Sequence, residues 1–304
     1  MSRGQCMNVL GPEKNFLGLD PLESSLDTSR VVILPAPYER TSSYGKGSFR
    51  GPGEILEASP QLEFYDEELD MEIFRACKGI ATLKPLVFEK EETGVDAIQK
   101  IYATARALLQ KDKFVVCLGG EHTSALGPIR AHYERYGPHL TLLHMDAHSD
   151  LRDQYLGDPF SHASVTARAL EILPDIVQVG IRSQSVEEKE RLRDSTIRTF
   201  YDFQIKSGEV PEWEKQVTAE LQHNVYITID CDFLDPSVIP AVGTPEPGGF
   251  LWYETLRFLR HVTQEKNVVG FDICEFSPIA GLTHPSFTLA RLVHKLIGYC
   301  FLKS

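Results

Sequence analysis

Six short apolar runs punctuate the chain: Val31–Leu34, Phe114–Leu118, Leu140–Leu143, Ile176–Ile181, Val225–Ile229 and Val268–Ile273. Each is four to six residues long, and Val and Ile dominate the set, the signature of strands buried on both faces. Helical spacing fills the gaps. Val95, Ile98, Ile101, Tyr102, Ala105, Leu108 and Leu109 recur at intervals of three and four, and further helices are expected around Glu54–Leu62, Val186–Arg193, Glu212–Leu221, Tyr253–Val262 and Phe287–Phe301. Pro35 and Pro37 are expected to end the first strand and to lead into a Gly/Ser-rich loop from Thr41 to Gly53. Strand and helix in alternation predict an α/β fold of three αβα layers, with a central, mostly parallel sheet. Ligands of such sheets gather beyond the carboxyl ends of the strands.

Three of the runs end on side chains able to bind metal: His122; then Asp146, His148 and Asp150; then Asp230 and Asp232. Four carboxylates and two imidazoles form an oxygen/nitrogen set that suits manganese, nickel or iron better than structural zinc. Six ligands are too many for one ion that must also hold water, but they suit two ions roughly 3.5–4 Å apart if some carboxylates bridge. Alternation in His144-Met145-Asp146-Ala147-His148-Ser149-Asp150 would put every second residue on one face of an extended segment. Cys231, between Asp230 and Asp232, would then point into the core as a small hydrophobe. His144, one step deeper in the strand, reads as a partner that orients a ligand.

At 304 residues and without a linker, the chain reads as a single domain, 1–304, with residues 1–30 as an N-terminal extension. A net charge of -12 argues against nucleic acid and anionic membranes, and its sign suits a cationic substrate. Cys6, Cys77, Cys117, Cys231, Cys274 and Cys300 form no Cys-x-x-Cys pair; they fit reduced thiols in a cytoplasmic protein, three of them inside strands. Met1–Lys14 has no apolar core of a signal peptide, and no run approaches the ~18 apolar residues of a membrane span.

Gly119-Gly120-Glu121-His122-Thr123, Asp146-Ala147-His148-Ser149-Asp150, and Asp230-Cys231-Asp232 followed by Asp235-Pro236 resemble the three metal-binding signatures of the ureohydrolases, the arginase and agmatinase family. The similarity runs from about Val31 to the C-terminus. It implies an arginase/deacetylase-like fold and two Mn(2+) per chain, with Ni(2+) or Fe(2+) as alternatives. His122 and Asp150 would bind one ion, His148 and Asp232 the other, and Asp146 and Asp230 both. It also implies that His162 is the proton-shuttling histidine and Glu275 the carboxylate that grips the substrate guanidinium; spacing alone leaves His162 as a loop residue and Glu275 as a strand-end acid. The family resemblance further implies a homotrimer or homohexamer. Gly119 and Gly120 are expected to let the backbone pass close to the metals, and the Gly243–Gly249 segment to form either a turn or a wall of the cleft.

Arginases hold the head of arginine with an asparagine two places after the last ligand of the second cluster and with a Ser-Gly-Asn-Leu-His-Gly stretch. Here Arg152 and Gly157–Ser164 stand in those places. The Ser161-His162-Ala163 form and Gly243-Thr244-Pro245-Glu246-Pro247-Gly248-Gly249 are instead similar to agmatinases and to aminopropylagmatine ureohydrolases. The implied reaction is hydrolysis of agmatine to putrescine and urea by a metal-bridging hydroxide. N1-aminopropylagmatine and guanidinobutyrate are alternatives, the latter because Arg152 would pair with a carboxylate unless Asp153 or Asp158 neutralises it or it points away from the pocket. From other classes come a zinc-dependent amine deacetylase and a non-catalytic binding protein; the complete set of six ligands argues against both.

Overall fold

The computed structural model describes residues 7–302, so Cys6 lies outside the described residues. The strands are β1 (Val31–Ala36), β2 (Tyr65–Asp66), β3 (Met71–Glu72), β4 (Ile80–Thr82), β5 (Phe114–Gly119), β6 (Leu140–Met145), β7 (Ile176–Ile181), β8 (Arg198–Tyr201), β9 (Asn224–Asp230) and β10 (Asn267–Cys274). The helices are α1 (Gly51–Ala58), α2 (Ile73–Ala76), α3 (Gly94–Leu109), α4 (Leu126–Tyr136), α5 (Val165–Ile172), α6 (Val186–Arg193), α7 (Asp202–Ser207), α8 (Trp213–Ala219), α9 (Trp252–Glu265) and α10 (His284–Phe301). β2 and β3 pair as a small antiparallel ribbon. The other eight strands form one sheet in the order β4-β1-β5-β10-β9-β6-β7-β8, and every pairing in it is parallel.

Period-two alternation divides each strand between two cores. Ile33, Leu143 and Met145 face a core completed by Ile55 of α1, Val217 of α8, Leu256 of α9 and Leu289 of α10. Val32, Leu34 and Cys117 face α3 through Ile101, Ala105 and Leu108. Leu140 and Leu142 face α4 and α5 through Ile129 and Val165. The three αβα layers thus follow from strands that are apolar on both faces and from helices that are apolar on one.

The details depart from the sequence reading in instructive ways. Pro35 does not end β1, which runs on to Ala36; the edge neighbour β4 stops at Thr82, opposite Ile33, so the proline sits beyond the ladder on that side. In α3, opened by a Thr93/Asp96 capping box, Val95 is exposed, and Ala97 takes its place in the buried stripe. Cys231 is buried as expected, but it begins a 3-10 turn (Cys231–Phe233) after β9 instead of lying within the strand. Phe16, Leu17 and Leu19, in the segment before β1, are fully buried in the first core.

Candidate active site

After β5 the chain crosses to the other half of the sheet, so β5, β10, β9 and β6 become neighbours around a topological switch point. Register then sets the heights of the side chains. Cys274 pairs with Asp230, and Met145 with Ile229, so Asp146 emerges level with Asp230 and Glu275 one residue beyond. His122 arrives from β5 through Gly119-Gly120.

The extended alternation expected for residues 144–150 stops at Met145, and Asp150 has a positive φ of 48°. Tight turns deliver the acids instead. Asp146 Oδ1 accepts from His148 N at 2.6 Å, and Asp230 Oδ1 accepts from Asp232 N at 2.9 Å, so each carboxylate folds the chain back two residues on. A Cβ on Gly120 would meet Tyr38 O at 2.1 Å, and one on Gly119 would meet Cys274 Sγ at 2.5 Å, so both glycines admit close approach by neighbouring protein.

Two groups of side chains that could hold a metal ion share Asp146: His122, His144, Asp146 and Asp150 form one, and Asp146, His148 and Asp232 the other. His122 Nδ1 lies 3.1 Å from Asp150 Oδ2, 3.2 Å from Asp146 Oδ2 and 3.4 Å from Asp230 Oδ2. His148 Nδ1 lies 2.9 Å from Asp232 Oδ2. All six residues named from the sequence therefore converge. His144 joins them, yet Gln178 Nε2 donates to its Nδ1 at 3.1 Å, which leaves the hydrogen on Nε2, 2.9 Å from Asp146 Oδ2. It faces the cluster as a donor. His122 is oriented from behind in the opposite sense: Thr228 Oγ1 donates to Asp272 at 2.7 Å and so accepts from His122 Nε2 at 2.9 Å, which leaves Nδ1 bare toward the acids.

The electrostatics fit divalent ions. Burial, with the charge of Asp146, pushes the Asp150 carboxyl up to about 6, and burial with Asp232 and Asp146 raises Asp230 well above the carboxylate range. Burial opposes protonation of His148, but Asp232 and Asp146 overcome it and push its pKa up to about 12. Proton-holding imidazoles cannot ligate, whereas divalent ions would supply the same positive charge and free the nitrogen lone pairs. Asp146 Oδ2 and His144 Nε2 are buried without an aligned hydrogen bond, another sign of a carboxylate oxygen placed for a ligand.

Above the cluster lies a cleft of about 180 Å³ whose lining includes His148, Asp150, His162, Asp230 and Glu275, with Ser43, Arg152, Tyr155 and Thr244 around them. Thr244 makes the Gly243–Gly249 segment a wall of the cleft. Arg182 pins that segment: its guanidinium donates to the carbonyls of Asp232 at 2.6 Å, Glu246 at 3.1 Å and Pro247 at 3.2 Å. Glu275 sits at a positive φ of 64°, and its Oε1 accepts from His122 N at 2.6 Å. Two site acids in the left-handed region are the kind of stored strain that marks a functional site. Burial, followed by the charges of His148 and His122, lowers His162 to about 4, so it is neutral at pH 7. Arg152 faces the cleft over the Tyr155 ring, with Glu188 at 4.0 Å. Neither expected neutraliser serves it: Asp153 pairs with Arg168 and Arg191, and Asp158 Oδ1 accepts from Phe160 N. Thr41, Ser43, Tyr155 and Arg182 escaped the sequence reading as site residues, because nothing local distinguishes them from other loop residues.

The arginase family profile matches residues 29–298. This chain belongs to the arginase family. It is 38% identical over 293 residues to the N(1)-aminopropylagmatine ureohydrolase of Synechocystis sp., covering 95% of this chain and 94% of the relative. It is 36% identical over 259 residues to the agmatinase of Bacillus cereus, covering 84% and 86%. The crystal structure of agmatine ureohydrolase of Thermoplasma volcanium superposes with a TM-score of 0.81 at 30% identity, covering 92% of each chain. Among the described residues no helix is long and apolar enough to cross a membrane.

Proposed function

We propose that this arginase-family chain is a binuclear, metal-dependent ureohydrolase of polyamine biosynthesis that converts agmatine to putrescine and urea. The observation that carries the reading is Asp146, a fully buried carboxylate common to both candidate metal groups, whose members His148 and Asp150 line a cleft with Glu275 and His162. His122 and Asp150 would hold one manganese ion and His148 and Asp232 the other, with Asp146 and Asp230 shared; nickel and iron suit the same donors. When bound, the ions supply a water nucleophile at neutral pH.

The chain's own residues do the rest. Glu275 has one oxygen tied to the His122 backbone; the other can accept from a substrate guanidinium in a charge-assisted bond. His162, neutral at pH 7, would take a proton at Nε2 and give it to the departing amine. Glu275 is the cleft carboxylate left over once Asp150 and Asp230 are given to the ions, and it suits a small cationic guanidino substrate. N(1)-aminopropylagmatine is the second reading, favoured by the identity to the Synechocystis relative. A cytoplasmic homotrimer or homohexamer completes the proposal; the free cysteines at 77, 117, 231, 274 and 300 support the location.

The test is urea release from agmatine, N(1)-aminopropylagmatine, arginine and 4-guanidinobutyrate, with manganese, nickel or iron, on wild type and Arg152→Ala. Agmatine or its aminopropyl derivative should exceed arginine in kcat/KM, since burying an unpaired α-carboxylate costs several kcal/mol. A preference for guanidinobutyrate that vanishes in Arg152→Ala would refute agmatine as substrate and leave the ureohydrolase chemistry standing.

A further inference from the structure

We propose that Glu121 is a positioning residue that acts on His162 through the Thr41 hydroxyl, fixing the His162 proton on Nδ1 and leaving Nε2 as the atom that exchanges protons in the cleft. The inference rests on the reading of His162 as the proton carrier and names how the fold prepares it.

Glu121 precedes His122 and is fully buried. A buried carboxylate is costly unless its oxygens are satisfied, and here three hydrogen bonds come from one distant segment, residues 40–41. Oε2 accepts from the backbone N–H of Arg40 at 2.7 Å and of Thr41 at 2.6 Å. Oε1 accepts from Thr41 Oγ1 at 2.9 Å. The Arg40 guanidinium does not neutralise the acid; it reaches the Glu92 carbonyl instead.

The hydroxyl then decides the tautomer. Thr41 has one hydrogen to donate, and the carboxylate takes it. Its remaining contacts must therefore be received: one is His162 N at 2.9 Å, and the other is His162 Nδ1 at 3.1 Å. Nδ1 must carry hydrogen to make that bond, so in the neutral ring Nε2 is bare. Nε2 lies on the cleft side, 3.4 Å from Ser43 Oγ. Tyr155 closes the remaining flank, edge to face with the imidazole at 5.7 Å. Glu121, Thr41 and His162 thus form an acid, hydroxyl and imidazole series that spans more than 120 residues of sequence and ends on the candidate proton carrier.

A purely structural Glu121 would only fasten residues 40–41 to the end of β5, and the experiment separates the two roles. Glu121→Gln keeps an oxygen for the two backbone donors but offers an amide where Thr41 now donates. The Thr41 hydrogen would turn to His162 Nδ1 and move the ring proton to Nε2. Solid-state 15N NMR of histidine-labelled, zinc-loaded protein, with His162 assigned by difference from His162→Asn, should show the Nδ1–H form in wild type and the Nε2–H form in Glu121→Gln. With manganese, Glu121→Gln and Thr41→Val should each lose about 10²–10⁴-fold in kcat with KM held within about threefold, while Thr41→Ser restores kcat. The Nε2–H form in wild type would overturn the proposal, as would wild-type kcat in Thr41→Val. If instead His162→Ala retains full kcat while the tautomer switches as expected, the proton-carrier reading has failed and the positioning has not.

Discussion

Asp146→Asn tests the shared carboxylate with the smallest change of shape. The asparagine oxygen can keep the bond from His148 N that Asp146 Oδ1 now receives at 2.6 Å. Its amide then replaces Oδ2, the oxygen 3.2 Å from His122 Nδ1 and 2.9 Å from His144 Nε2, and faces the latter donor to donor. One unit charge 4 Å from another is worth about 4 kcal/mol at an effective dielectric constant of 20. A divalent ion doubles that figure, and if the retained amide oxygen recovers half, about 4 kcal/mol is lost for each ion. At 1.4 kcal/mol per decade this is about 10³-fold in retention. Because Asp146 belongs to both groups, both ions should weaken together. After dialysis against metal-free buffer, elemental analysis should find two ions per wild-type chain and fewer than one in the variant, with urea release abolished. Asp153→Asn, at an exposed carboxylate paired with Arg168 and Arg191, is the control and should keep both ions. Two tightly held ions in Asp146→Asn would refute the shared-ligand reasoning.

Asp230→Ala should empty at least one metal position and abolish urea release; elemental analysis showing full occupancy would remove Asp230 from the ligand set. Glu275→Gln should raise KM for the guanidino substrate, whereas His162→Ala should lower kcat by about 10²–10⁴-fold, both with metal content unchanged; a wild-type kcat in His162→Ala at neutral pH would end its assignment as proton carrier. Burial, with the charge of Arg291, holds His294 down at about 4, and both ring nitrogens lack partners. The unfolded chain, with a histidine pKa near 6.5, binds the extra proton first, so this contribution is complete above about pH 6.5 and lost as pH falls toward 4, at most about 3 kcal/mol. His294→Leu should therefore flatten the decline of Tm with acid, and an unchanged slope over that window would show that His294 is not its source.

The sheet was legible wherever strands are buried on both faces, because only continuous apolar runs satisfy that environment. β4, three residues long, and β8, a half-buried edge strand beginning at Arg198, carry too little apolar signal to be seen. α4 was equally hidden: its inward stripe is built from Gly127, Pro128, Ala131 and His132 as much as from Leu126 and Ile129. At the site, the candidate metal ligands could be named because each is chemically distinctive and follows a strand. Thr41 could not, since its role comes from contacts with Glu121 and His162, 80 and 121 residues away.

Arg152 shows what such long-range pairing does to an electrostatic argument made from sequence. Asp153 and Asp158 are the nearest acids along the chain, but the first is drawn to two other arginines and the second to the Phe160 backbone. The acid that does stand near Arg152 is Glu188, already committed to the start of α6, where it accepts from Ser185 N at 2.7 Å and from Leu151 N at 3.0 Å. A carboxylate held by two backbone donors stays ordered, so at 4.0 Å it offsets part of the arginine's charge without a direct hydrogen bond. Partial offset lets a cationic substrate tail share the cleft with Arg152. Freeing that charge should therefore disfavour it: Glu188→Gln, which keeps a cap oxygen, should raise KM for agmatine more than for 4-guanidinobutyrate. Equal changes in both KM values would mean that Glu188 supports the fold of α6 and has no part in selecting the substrate.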